Sequence, residues 1–210
     1  SNYVKKRIKK YYQRNSRVVY PMVNVKDYYI SNTKNKDYYL AVGRFTPYKR
    51  FDLIVDAFNE LPYKLKIVGT GIQEKELKSK ARSNIDFLGF TPDNELKDLY
   101  ANAKALIFSQ VEDFGITPLE AMSSGRPVVA FRAGGALETV VEGKTGIFFD
   151  EQNVAQLKAG VEKSENTKWD NKKIRKHAMN FDEEVFEKEI MEFLENKWKD
   201  KFNKTRNYDP

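Results

Sequence analysis

Cysteine is absent from the 210 residues, which excludes disulfides, thiolate metal sites and a cysteine nucleophile. The one histidine, His177, excludes multi-histidine metal sites, and a Ser-His-Asp triad would have to use that single ring. No apolar run approaches the roughly 18 residues of a membrane span. No hydrophobic segment follows the first basic residues as it would in a secretory leader. A cytoplasmic protein is the simplest expectation. No Asp-x-Asp pair occurs, so nothing points to paired carboxylates around a nucleotide-bound metal, and no cofactor is expected.

The basic excess is not spread evenly. Of 37 lysines and arginines against 30 acids, seven (Lys5, Lys6, Arg7, Lys9, Lys10, Arg14, Arg17) lie in residues 1–17, which contain no acid. The remainder is neutral, so the net charge of +7 describes an arm and not the domain. Val4, Ile8, Tyr11 and Tyr12 recur within it at helical spacing, which suits an amphipathic helix lying on an anionic membrane. The favoured alternative is a solvated helix face with its apolar stripe packed on a neighbour. A nucleic-acid binder would carry its cations along the loops, beside stacking aromatics. The charge sits in the arm instead, so no nucleic-acid partner is expected.

From Tyr38 onward, short β-rich runs alternate with amphipathic stretches. Strands are expected at 38–43, 64–69, 84–90, 104–110, 127–131 and 146–150, and residues 153–204 read as helices. Thr91-Pro92 and Thr117-Pro118 read as helix starts, and Gly125 as a helix stop. Such alternation predicts an α/β fold: a doubly wound, mostly parallel six-stranded Rossmann-like sheet with C-terminal helices. Ligands of such sheets lie beyond the carboxyl ends of the strands. The expected organisation is a basic arm at 1–20, a connection at 21–37, the sheet domain at 38–180 and a terminal helix at 181–210.

Two familiar motifs fail. Gly69-Thr70-Gly71 begins like a dinucleotide fingerprint, but Glu74 stands where the third glycine belongs. Gly143-Lys144-Thr145 resembles the end of a P-loop, but Glu138 replaces its first glycine. Three features survive. Gly43-Arg44, with Lys49 five residues on, can offer a fork and a point charge to phosphate; a turn with two exposed cations is the alternative. Glu112 and Glu120 stand at either end of Glu112-Asp113-Phe114-Gly115-Ile116-Thr117-Pro118-Leu119-Glu120, a loop entering a helix whose free amides favour an anion. A carboxylate there can accept from a sugar or ribose diol, yet Thr117-x-x-Glu120 is equally a capping box. Gly134-Gly135 with Glu138, after the fifth strand, can admit a ligand or make a tight turn into a helix, and the turn is favoured. His177 reads as a surface residue, and Trp169, Trp198, Phe181, Phe186 and Phe193 as packing anchors.

The segments AVGRFTPYKRFDLIVDAF, LKIVGTG, NIDFLGF, ELKDLYANAKALIFSQVEDFGITPLEAMSSGRPVVA and AGGALETVVEGKTGIFF, in that order, resemble the C-terminal, donor-binding half of GT-B glycosyltransferases of the large retaining group, family 4. EDFGITPLE matches that group's E-x7-E motif. The resemblance runs from about Tyr3 to Leu194. It implies that Arg44 and Lys49 hold the diphosphate of a nucleotide sugar and that Glu112 meets the sugar hydroxyls. It further implies that Glu120 takes the ribose diol, and that Phe114, Gly115, Ile116 and Thr117 contribute the loop and helix start. Gly43, Gly69, Phe87, Leu88 and Gly89 would complete the donor and base pocket. The wording around GRFTPYKRFD and EDFGITPLEAM is similar to bacterial polysaccharide mannosyltransferases, which favours GDP-mannose as donor and leaves UDP-sugars open. A glycan or lipid-linked acceptor would bind a half preceding Ser1, with peripheral membrane contact. A non-catalytic sugar-nucleotide-binding module is the competing reading. FDEEVFEKEIMEFL looks like the terminal helix that returns to that preceding half. The basic arm is then partly an orphaned interdomain or membrane-facing surface, and an apolar stripe is expected to be left bare.

Overall fold

The structure, a computed structural model, describes residues 1–32 and 37–206, with side chains as far as Lys199. Part of the expected connection, residues 33–36, and the end of the expected terminal helix, 207–210, lie outside the described residues. The chain opens with α1 (Asn2–Tyr12) and crosses to β1 (Tyr38–Val42). There follow α2 (Phe51–Asn59), β2 (Lys64–Val68), α3 (Glu74–Lys80), β3 (Ile85–Gly89), α4 (Asp93–Asn102) and β4 (Leu106–Phe108). After α5 (Ile116–Ser123) come β5 (Val128–Phe131), α6 (Ala136–Thr139), β6 (Gly146–Phe149), α7 (Val154–Glu165), α8 (Asn171–Ala178) and α9 (Glu183–Arg206). No described helix is long and apolar enough to cross a membrane.

The six strands are all parallel, in the order β3-β2-β1-β4-β5-β6. Strand order reverses between β1 and β4, which pair through Leu40 and Leu106. This is the doubly wound Rossmann-like sheet expected from the alternation, and the reversal defines a crevice at the carboxyl ends of β1 and β4. Strand alternation divides the core in two. Tyr38, Leu40, Leu106, Phe108, Val128 and Ala130 face α5 and α8, whereas Tyr39, Ala41, Ile107 and Val129 face α2 and α7. Burial on both faces explains why the central strands read as unbroken apolar runs.

Two helix starts differ from expectation. At α4 the cap is Pro92 and the helix begins at Asp93, so Thr91 does not cap it. At α5 the cap is Gly115, at φ +91°, and Thr117 already lies inside the helix. At neither start does a side chain cap the helix. The stop at Gly125 holds, with φ +70° just past α5. His177 is half-buried, its Nε2 2.8 Å from the Thr139 carbonyl and its ring against Phe181, so it ties α8 to α6 and is not a surface residue. Trp169 anchors as expected, donating to the Ser164 carbonyl at 3.0 Å, but Trp198 is 65% exposed. With Met191 and Leu194 it forms an apolar stripe on α9. In the arm, Tyr3, Val4 and Ile8 are half-buried and Tyr11 and Tyr12 exposed.

Candidate functional site

The loops after β1 and β4 meet across the crevice. Lys49 Nζ lies 2.8 Å from Glu112 Oε1, with both side chains largely shielded from solvent. The local backbone explains how Lys49 gets there. Arg50, the next residue, takes the left-handed conformation at φ +56° to start α2, a strained choice for a residue with a Cβ. The strain is held by a cluster. Ser109 Oγ, at the end of β4, lies within hydrogen-bond distance of the carbonyls of Lys49 (3.1 Å) and Arg50 (3.2 Å). Gln152 Nε2 donates to the Ser109 carbonyl at 2.7 Å, and Arg50 Nε pairs with Asp52 at 3.1 Å.

Glycines let the loops touch. A Cβ on Gly69 (φ +135°) would stand 1.9 Å from the Gly43 carbonyl oxygen, so the loops after β1 and β2 are in backbone contact. Gly43 in turn lies directly under Lys49, whose Cδ would be 3.3 Å from a Cβ there. Gly134-Gly135 plays the same part for the other loop. A Cβ on Gly135 would fall 2.2 Å from Phe114 Cα, and the Gly135 N–H donates to the Glu112 carbonyl at 2.8 Å. The pair is thus more than the tight turn expected: it is the seat of the 112–114 loop.

The structure therefore brings together Gly43, Gly69, Lys49, Glu112 and the start of α5. Gly115 makes no side-chain cap, so the first amides of α5 at Ile116 and Thr117 have no capping side chain. Phe114 is buried, stacked on Tyr20 at 5.4 Å, so what it offers a ligand is backbone. Arg44, beside this cluster in sequence, is exposed. Glu120 is not half of a capping box. Its Oε2 accepts from the hydroxyl of Tyr100 at 2.7 Å. Burial, then the Glu120 charge, pushes the Tyr100 and Tyr28 phenols well above their ordinary values. The stretch Phe87 to Gly89 does not form one wall. Phe87 packs on Phe45 at 6.0 Å, while Leu88 lines a separate groove of about 540 Å³ with Tyr38, Lys66 and Phe90. Only Gly89 reaches the cluster, accepting from the Gly69 N–H at 2.8 Å. Gly143-Lys144-Thr145 precedes β6, at the opposite ends of the strands, beside a cavity of about 520 Å³. Ser109, Gln152 and Tyr100 are not legible as site residues, because each acts on a neighbour distant in sequence, and Arg50 is not, because its part lies in a left-handed backbone that its residue type does not announce.

Comparison with known proteins fits this geometry. The chain is 28% identical over 166 residues to an uncharacterized glycosyltransferase of Methanocaldococcus jannaschii, covering 77% of this chain and 47% of that protein. It is 34% identical over 140 residues to the alpha-1,3/1,6-mannosyltransferase ALG2 of Dictyostelium discoideum, covering 53% and 33% respectively. The chain thus spans less than half the length of these relatives. Among solved structures, Anabaena HepE in complex with UDP-glucose is 25% identical, with a TM-score of 0.73 over 86% of this chain and 57% of that one. The model of the family described as glycosyl transferases group 1 matches residues 29–184. With most of its length matched and the doubly wound sheet in place, the chain belongs to the group 1 glycosyltransferase family.

Proposed function

We propose that this chain is the donor-binding half of a retaining glycosyltransferase that moves a hexose, mannose from GDP-mannose, to a glycan or lipid-linked acceptor in surface polysaccharide synthesis. The observation that carries the reading is the Lys49–Glu112 pair across the strand-order reversal, beside the uncapped start of α5. A cation, a carboxylate and free amides within one crevice match a ligand that is anionic at the diphosphate and rich in hydroxyls at the sugar.

The chemistry requires a stabilised leaving diphosphate and an oxocarbenium-like centre. Arg44 and Lys49, with the α5 amides, offset the negative charge that grows on the leaving phosphate, without a metal. Each such contact is worth about 10²–10³ in rate. Glu112 holds the sugar hydroxyls, and Glu120, anchored from below by Tyr100, takes the ribose diol. The acceptor belongs to a further domain, at the cytoplasmic face of a membrane. Mannose draws support from the ALG2 similarity, and a UDP-sugar donor from HepE and its UDP-glucose.

Calorimetric titration with GDP, UDP and GDP-mannose, with Arg44→Ala and Lys49→Ala alongside, tests the reading. GDP-selective binding that weakens about tenfold or more in each variant is expected, since charge-assisted phosphate contacts are the strong ones. UDP-selective binding moves the donor to a UDP-sugar. Binding of neither nucleotide, on this chain and on one carrying the acceptor-binding half, overturns the donor-site reading.

A further inference from the structure

Helix α1 has no buried residue, so apolar packing holds it weakly. Its grip is polar and lies in the first turn. Glu138 accepts from the Asn2 N–H at 2.7 Å, the Tyr3 N–H at 2.9 Å and the Asn2 side-chain amide at 2.9 Å. A carboxylate on the free amides of a helix start is favoured by hydrogen bonding and by the helix dipole together. The same helix holds Asp113: the Ser1 hydroxyl donates to its carbonyl, and Arg7 Nη1 lies 2.5 Å from its carboxylate.

Asp113 is the residue after Glu112, so α1 presses on the site loop from one side. From the other side the loop rests on Gly134-Gly135, which opens α6, the helix that carries Glu138. Tyr20 joins the two sides. Its ring stacks on Phe114 at 5.4 Å, and its hydroxyl donates to Glu138 at 2.9 Å. One carboxylate, carried on α6 behind Gly134-Gly135, thus collects hydrogen bonds from both α1 and Tyr20.

We propose that α1 is a strap over the Glu112–Ile116 loop and that Glu138 is its positioning residue, setting where the Glu112 carboxylate and the α5 amides stand without itself touching a ligand. The functional consequence rests on the donor-site reading of that loop; the structural part does not.

Amide hydrogen exchange on the full 210-residue chain tests the strap directly. Glu138→Ala should speed exchange about tenfold or more in the segments covering residues 1–12 and 111–118 together, with β1 and β5 unchanged, as expected for a local opening. Faster exchange in 1–12 alone, or in neither segment, overturns the proposal. If the substitution loosens the sheet as well, Tyr20→Phe decides. It keeps the ring stack and removes only the hydroxyl, and should release the same two segments to a smaller extent; no change in them overturns the strap. Titration with GDP and UDP then reads the consequence, with the affinity of Glu138→Ala about fivefold weaker or more, in the range of ordinary coupling between sites. Equal affinities in wild type and variant overturn the positioning role. A wild type that binds neither nucleotide counts against the donor reading, and the exchange result still judges the strap.

Discussion

At the scale of single residues, Glu120 has a structural duty beside the one proposed for it. Its carboxylate satisfies the hydroxyl of Tyr100, which is 1% exposed and has no water to turn to. Glu120→Ala strands that hydroxyl and should cost about 1–3 kcal/mol in urea denaturation, the penalty of an unpaired buried donor. Glu120→Gln keeps an acceptor and should leave stability nearly unchanged while weakening nucleotide affinity. A Gln variant with full affinity would reduce Glu120 to a structural partner of Tyr100. Arg126 presents the opposite case. It is 4% exposed, with Nε and Nη2 lacking hydrogen-bond partners among the described residues, and burial pushes its guanidinium pKa down. Arg126→Met should raise the unfolding free energy by about 1 kcal/mol or more, because an apolar isostere of a buried charge is commonly more stable. A lower denaturation midpoint in that variant would show that the guanidinium is better compensated than its geometry implies.

At the scale of elements, the loops and helix starts decide the site. Gly69→Ala drives a methyl into the Gly43 carbonyl and should cost about 3 kcal/mol or more, in the range of severe core disruption. Gly89→Ala, at φ +70° with open space around it, should cost only about 1 kcal/mol of backbone strain. Thermal melts of the two variants side by side separate steric contact from conformational strain. The α1 contact carries a pH signature. The Glu138 pKa is lowered from its ordinary value of 4.5: desolvation acts to raise it, but hydrogen bonds from the Asn2 and Tyr3 amides and the Tyr20 hydroxyl outweigh that. A depressed carboxylate contributes its stability fully above its unfolded-state pKa and loses it as the pH falls through the folded value. Exchange protection of residues 1–12 should therefore hold near neutrality, begin to fall below about pH 4.5 and be lost as the pH drops through the lower folded value, before the sheet unfolds. Protection that survives until global acid unfolding would remove Glu138 as the grip on α1.

At the scale of the whole molecule, the parallel sheet puts every candidate loop at one end, and the order β3-β2-β1-β4-β5-β6 chooses among them. Loops after β1 and β4 diverge to opposite sides of the sheet and leave a crevice; Lys49 and Glu112, 63 positions apart, close to 2.8 Å within it. The exposed apolar side chains of Met191, Leu194 and Trp198 follow one another at helical spacing along α9, a feature of the whole molecule and not of the sheet.

The sequence by itself determined the six strands and the class of fold. Those follow from periodicity and side-chain chemistry, which are local. Only the tertiary structure decided that Gly115 and Pro92, and not the threonines beside them, begin α5 and α4. It alone paired Glu120 with Tyr100, sent Phe87 and Leu88 to opposite faces, and set Glu138 on the first turn of α1. Each of these depends on which distant backbone comes within a few ångströms, and that is fixed by strand order and loop contact, which no local pattern encodes.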